Sequence, residues 1–259
     1  MTAIRLHDLT VTHRHHPAVH HLSGTLERGS LTAIVGPNGA GKSSLLDAMM
    51  GRLTPAGGHI EWAPGLRSQV AYLPQQSQID RSFPLSALDL VMLGHWGRVG
   101  AFRATSAAQR TQAVDALATV GLPGFERRLI GELSVGQFQR LLFARVLLQD
   151  ARQILLDEPF NAIDTRTCAD LLAVVARWHG EGRTVVAVLH DLAQVRAHFP
   201  GTLLLAREAI AWGATANVLS AENLQRARRL ADHWDDDTPS CKQVPHERMQ
   251  GTDLAEARA

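Results

Sequence analysis

The sequence predicts an α/β fold in which short, buried, mostly parallel strands alternate with helices, after a strand-rich opening and a helical insertion. Three observations carry that prediction. A glycine loop at 36–43 stands between an apolar run and a helical pattern. In the second half, Ile154-Leu155-Leu156 and Val185-Val186-Ala187-Val188 are apolar at every position, as strands covered on both faces are, and helical segments separate them. Between residues 84 and 149 the apolar spacing becomes helical.

Taken in order, Ile4, Leu6, Leu9 and Val11 give a strand with one buried face. Residues 13–21 read as a histidine-rich connection, and 22–26 resume a strand before the Glu27-Arg28-Gly29 turn. Residues 31–35 form a buried strand and 44–50 the first turns of a helix. After the break at 54–58, residues 59–62 and 69–73 read as two more strands. Helical spacing follows in Leu85, Leu88, Val91 and Met92, in Ala113, Val114, Leu117 and Val120, and over 137–148. Strands at 154–156, 184–189 and 202–205 then alternate with helices at 165–180 and 192–198, and a short helix pair spans 216–219 and 221–230. The expected organisation is one domain over 1–230, with its helical part at about 84–150. Residues 231–259 are a polar tail, whose Asp235-Asp236-Asp237-Thr238-Pro239-Ser240 cannot bury enough apolar surface to order itself.

Bulk properties narrow the function. A chain of 259 residues with 45% hydrophobic and 20% charged content can bury a large core. The net charge of +1 gives no electrostatic case for nucleic acid as a partner. The two cysteines, Cys168 and Cys241, are too few and too far apart for a disulfide framework, which fits a reducing cytosol. No apolar run approaches the ~18 residues of a membrane span, and the N-terminus lacks a basic-then-apolar signal segment. Any membrane function would need another chain to cross the bilayer.

Three stretches carry chemistry. Gly36-Pro37-Asn38-Gly39-Ala40-Gly41-Lys42-Ser43 matches GxxxxGK[ST] in its strand–loop–helix context. Glycines let backbone N–H groups turn around phosphate oxygens, and the helix N-terminus adds unpaired donors. Lys42 would reach the β- and γ-phosphates and Ser43 would set its hydroxyl on Mg²⁺. The apolar strand at 153–156 ends in Asp157-Glu158, at the sheet edge where ligands bind. Asp157 suits Mg²⁺, which prefers oxygen ligands, and Glu158, facing away from the metal, suits the polarising of an attacking water. Leu133-Ser134-Val135-Gly136-Gln137 offers a second anion site before a helix, most economically for a nucleotide bound to another copy; by itself it serves equally as a helix cap.

Together these stretches, with Gln75 after a strand, Asn161-Ala162-Ile163-Asp164, and His190 closing 185–189, resemble the ATP-binding subunit of an ABC transporter over about residues 3–230. The resemblance implies a P-loop NTPase (ABC ATPase) core with a parallel sheet, an antiparallel β subdomain and a helical insertion. It implies ATP hydrolysis with Mg²⁺ by a head-to-tail homodimer. The partners would be an integral membrane permease and, indirectly, a periplasmic or extracellular solute-binding protein, with the chain peripheral at the cytoplasmic face of the plasma membrane. Glu158, His190 and Gln75 would be catalytic; Gly36, Pro37, Asn38, Gly39, Ala40, Gly41, Lys42, Ser43 and Ser44 would bind ATP. His13 aligns with the adenine-stacking position, with His15 or His16 as alternatives. Ser134, Gly136, Gln137 and Asp164 would complete the site in trans, and Ser43, Gln75 and Asp157 would face Mg²⁺. Val135 departs from the pattern by replacing a glycine, and Asn161 is an uncommon start to its motif.

Asp80-Arg81-Ser82-Phe83-Pro84-Leu85, Gly131-Glu132-Leu133-Ser134 running into Gln137-Phe138-Gln139-Arg140, and Asp157-Glu158-Pro159-Phe160 resemble the subgroup importing zinc, manganese and ferrous iron, with a lean to zinc. Phe83, Leu85 and Trp96 are candidate permease contacts or simply core. Two histidine groups, one of His13, His15, His16, His20 and His21 and one of His233, Asp235, Asp236, Cys241 and His246, read as polar surface, because their spacings match no structural zinc pattern. A soluble ABC ATPase acting on DNA or ribosomes would carry a coiled-coil insertion, a second cassette or a basic patch, and the sequence has none. Another cargo, such as an iron chelate or an organic solute, stays open.

Overall fold

The computed structural model describes residues 1–13, 16–75, 79–100 and 104–232. In chain order, the strands β1 (Thr2–His13), β2 (His16–Glu27) and β3 (Leu31–Val35) lead to helix α1 (Lys42–Met50). Strands β4 (Gly57–Trp62) and β5 (Val70–Leu73) follow. Next comes the run of helices α2 (Ala87–Met92), α3 (Trp96–Val99), α4 (Ala107–Thr119) and α5 (Val135–Gln149). Then β6 (Gln153–Asp157), α6 (Thr165–Gly180), β7 (Thr184–Val188), α7 (Leu192–His198) and β8 (Gly201–Ala206) alternate. The last described elements are β9 (Glu208–Ala214), α8 (Thr215–Val218) and α9 (Ala221–Asp232).

Two sheets result. The larger has the order β5-β6-β7-β3-β8-β9, parallel up to β8, with β9 pairing antiparallel to β8. The smaller is antiparallel, β2-β1-β4. Every residue of β3, β6 and β7 is buried, because both faces of the larger sheet are covered. Alternate residues point to opposite faces of a strand, so the sheet feeds two cores. Ala33, Val35, Ile154, Leu156, Val185 and Ala187 pack towards α5 and α6. Ile34, Leu155, Val186, Val188, Leu203 and Leu205 pack towards α1 and the smaller sheet. On the first side Phe143 of α5 and Trp178 of α6 stack at 5.3 Å, a geometry worth about 0.5–1.5 kcal/mol beyond the area it buries.

Two expectations need correction. The histidine-rich segment is not a connection: from His16 it is strand β2, hydrogen-bonded to β1. Its pattern is hidden because Asp8 and His21 take positive φ (47° and 46°) and the register slips, which places buried Val19 and Leu22 three residues apart. Strand β9 was not foreseen; the Ile210/Trp212 alternation is its signal, but only Ile210 is buried. The tail from residue 233, with His233, Asp235, Asp236, Cys241 and His246, lies outside the described residues.

Candidate active site

The parallel strands end at one edge, and four of them deliver the candidate residues there. β3 runs into the glycine loop, β5 into Gln75, β6 into Asp157 and Glu158, and β7 into His190. The loop's geometry demands glycine. Gly41 has φ 90°, and a Cβ on it would stand 1.9 Å from the carbonyl oxygen of Ala18. At Gly36, φ 153°, a Cβ would stand 1.9 Å from the oxygen of Leu205.

Helix α1 begins without a capping side chain at Gly41. By contrast α2, α4, α5, α6 and α7 start with Ser86, Ser106, Ser134, Asp164 and Asp191, each accepting a first-turn N–H. No capping side chain takes up the first-turn donors of α1, and helix N-termini attract anions. In front of them is a cleft of about 490 Å³ lined by residues 38–44, Glu158, His190, Pro17, Ala18 and Arg207. Lys42 is 6% exposed, and its Nζ donates to the carbonyls of Gly36 (2.9 Å) and Pro37 (2.8 Å). Burial lowers its pKa, against the pull of Glu158 and Asp157.

Ser43 Oγ donates to Asp157 Oδ1 at 3.1 Å. Asp157 is fully buried, and its Oδ2 has no hydrogen-bond partner among the described residues. Burial pushes its carboxyl up to about 6, opposed by the Ser43 bond and assisted by Glu158. An orphaned carboxylate oxygen beside a hydroxyl is a donor set of hard oxygens, and it fits Mg²⁺.

Glu158 lies one residue beyond the strand with φ 51°, which turns its side chain out of the strand's alternation and into the cleft. Three groups reach its carboxylate. Gln75 Nε2 donates to Oε2 at 3.1 Å, Asn161 Nδ2 to Oε2 at 3.3 Å, and His190 Nε2 meets Oε1 at 2.6 Å. Gln139, buried in α5, donates to the backbone carbonyls of Glu158 (3.2 Å) and Pro159 (3.0 Å). A second cleft of about 1080 Å³, shared through Asn38, Glu158 and His190, continues past Gln75 between α6 and α7.

The loop, Ser43, Ser44, Asp157, Glu158 and His190 are thus brought together, and Gln75 joins them through Glu158. Ser134, Gly136, Gln137 and Asp164 line neither cleft. Ser134 Oγ accepts from Gln137 N (3.2 Å) and Gln137 Oε1 from Ser134 N (3.0 Å), a reciprocal cap of α5. Gly136 lies against the Ala162 carbonyl, which a Cβ would approach to 2.7 Å. Asp164 caps α6, and the bond from Thr167 N holds its carboxyl below the usual range. The side chains of His13 and His16, and all of His15, lie outside the described residues. Among the described residues no cluster of three or more histidine, cysteine or acidic side chains is arranged to hold a metal, and no helix is long and apolar enough to cross a membrane. Sequence reasoning gave no role to Gln139, Arg207 or the Asn161 side chain; a glutamine in the otherwise apolar core run of α5 was the available signal for the first.

Comparison with known proteins supplies the family. Residues 19–161 match the family described as ABC transporter. The chain is 36% identical over 228 residues to a manganese transport system ATP-binding protein of Listeria monocytogenes, covering 86% of this chain and 95% of the other. It is 38% identical over 229 residues to a zinc transport system ATP-binding protein of Treponema pallidum, covering 87% and 86%. Among solved structures, a transporter of the metal-chelate ABC type in an inward-facing conformation superposes with a TM-score of 0.77 at 29% identity, covering 88% of this chain and 90% of that one. With a likeness to ATP-binding subunits over 86–87% of its length and a phosphate loop facing an acidic strand end, the chain belongs to the ABC transporter family and is one of its ATP-hydrolysing subunits.

Proposed function

We propose that this chain powers the import of a divalent transition metal, zinc or manganese, as a homodimer bound to a membrane permease at the cytoplasmic face. The observation that carries the chemistry is the gathering of Gln75, Asn161 and His190 around Glu158, beside the Ser43–Asp157 pair and the mouth of the phosphate loop. The cargo rests on likeness to systems named for manganese and for zinc, which support the two metals equally. The earlier lean to zinc has no separate support, and the permease and an external binding protein would choose the ion.

In this reading Lys42 exchanges the carbonyls of Gly36 and Pro37 for phosphate oxygens, and the N–H groups of the loop complete the cradle. Ser43 and Asp157 would hold Mg²⁺, with Gln75 facing it; bound there, the ion would neutralise phosphate charge. Glu158 takes the proton of the attacking water, and His190, now on Oε1, would turn to the γ-phosphate. Ser134, Gly136, Gln137 and Asp164, which line neither cleft of their own chain, would meet the nucleotide of the other copy.

The test is metal accumulation in cells lacking the protein, measured with labelled zinc and manganese and restored by the wild type but not by Glu158→Gln. A selective defect in one ion assigns the cargo. Unchanged uptake of both, or a defect confined to iron or an organic solute, overturns the assignment.

A further inference from the structure

Residues 81–88 and the loop that ends in Ser134 are laced together. Leu88 N donates to Glu126 O (3.1 Å), Ala87 N to Arg128 O (2.8 Å) and Ile130 N to Leu85 O (2.9 Å), with a bridge between Ser86 and Leu129. Arg81 fastens the end of this ladder. Its guanidinium donates to the Ile130 carbonyl from Nε (3.3 Å) and Nη2 (3.2 Å), and from Nη2 to the Leu133 carbonyl. The same group lies over the Phe138 ring, 4.8 Å from its centre. At Gly131 a Cβ would come within 3.1 Å of Arg81's own carbonyl, so the two backbones are close as well. Two residues beyond Arg81, Phe83 is 63% exposed.

We infer that Arg81 is a positioning residue for the shared nucleotide site, holding the Leu133–Ser134 peptide and the first turn of α5 at the angle from which Ser134 meets the partner's nucleotide. The inference rests on the dimer reading given above. A peptide unit is planar, so a clasp on the Leu133 carbonyl also orients the Ser134 N–H, which Gln137 Oε1 holds from the other side. Phe138 follows Ser134 by one helical turn, so the guanidinium face braces the helix that Ser134 caps. Hydrogen bonds from a charged donor are roughly twice as strong as neutral ones. Lysine, a point charge without a planar fork, could not serve both carbonyls and the ring. Movement of the exposed Phe83 turn would reach Ser134 through this clasp.

The test uses the full chain carrying Glu158→Gln, with dimerisation on ATP addition followed by analytical ultracentrifugation. ATP affinity is measured separately, with a fluorescent ATP analogue at protein concentrations where the chain is monomeric. Adding Arg81→Gln is expected to weaken ATP-driven dimerisation by about tenfold while monomer ATP affinity stays within about twofold, since the phosphate loop is untouched. Arg81→Lys should fall between. In a Ser134→Ala background Arg81→Gln should add little, because both act through one contact. Equal dimerisation with and without Arg81, a parallel loss of ATP affinity, or full additivity with Ser134→Ala overturns the inference. If Arg81→Gln fails to fold, Arg81→Lys carries the same comparison. Failure of Glu158→Gln alone to dimerise would overturn the dimer reading and this inference with it; success there with no effect of Arg81 overturns only the inference.

Discussion

Replacing Glu158 by glutamine isolates one function, because the structure allows the change to be almost purely chemical. Oε2 accepts from Gln75 at 3.1 Å and from Asn161 at 3.3 Å, and a glutamine oxygen in that place accepts the same two bonds. At Oε1 the new amide faces His190 Nε2, 2.6 Å away in the wild type, which accepts from it when the ring proton sits on Nδ1. Shape and hydrogen bonding are thus retained and basicity is lost. A general base contributes about 10²–10⁴ in rate, or about 3–5 kcal/mol of barrier. Phosphate release at saturating ATP and Mg²⁺ should fall by that factor, while ATP affinity stays within about threefold because Lys42 and the loop are unchanged. Turnover within tenfold of wild type would remove Glu158 as the base. A comparable fall in ATP affinity would mean that the variant reports binding instead.

Two further outcomes follow from the geometry. Asp157 is buried with a carboxyl raised to about 6 from an ordinary 3.8, so the folded nucleotide-free protein holds that proton more tightly than the unfolded chain. Stability is therefore lost as pH rises from about 4 to about 6, by on the order of 2–3 kcal/mol, and stays lost above that. Asp157→Asn should raise the thermal midpoint at pH 8 by several degrees, with the gain vanishing near pH 4, and should abolish Mg²⁺-dependent hydrolysis; an equal gain at both pH values refutes the argument. Gly41→Ala places a Cβ 1.9 Å from the Ala18 carbonyl at φ 90°, at a cost of about 2–4 kcal/mol. Gly97→Ala, whose Cβ would meet nothing within 4 Å, should leave the melting curve in place; similar melts for the two variants count against the loop geometry.

What could be read from the sequence depended on whether one local rule governed a residue. The interior strands were legible because β3, β6 and β7 are buried on both sides and so apolar almost throughout. Gly36, Gly41, Lys42 and Ser43 were legible because the loop's chemistry depends on residues adjacent in sequence. The first half of β2 was missed because register shifts break its period, and β9 because a strand with one buried side chain leaves little pattern. The carboxylate's surroundings were legible only in part. Gln75, Asn161 and His190 come from three different segments, and Gln139 supports the turn from α5, so their contacts depend on how β5, β6, β7 and α5 are juxtaposed.

The same distinction bears on Ser134, for which a helix cap and a contact in trans both followed from the sequence. The structure makes the cap a fact: Ser134 Oγ accepts from Gln137 N at 3.2 Å. That bond uses the oxygen's lone pair, and a hydroxyl retains its own proton to donate. Ser134 is exposed, outside both clefts of its own chain, and held from behind by Arg81 through Leu133. The cap therefore fixes the hydroxyl without consuming its donor, which is what a phosphate oxygen arriving on a second molecule requires. At α1 the opposite arrangement holds, with Gly41 offering no capping side chain. One helix start is capped by its own side chain, the other is not. Two copies set head to tail would bring these unlike ends to the same triphosphate twice, whereas a single chain holds them apart.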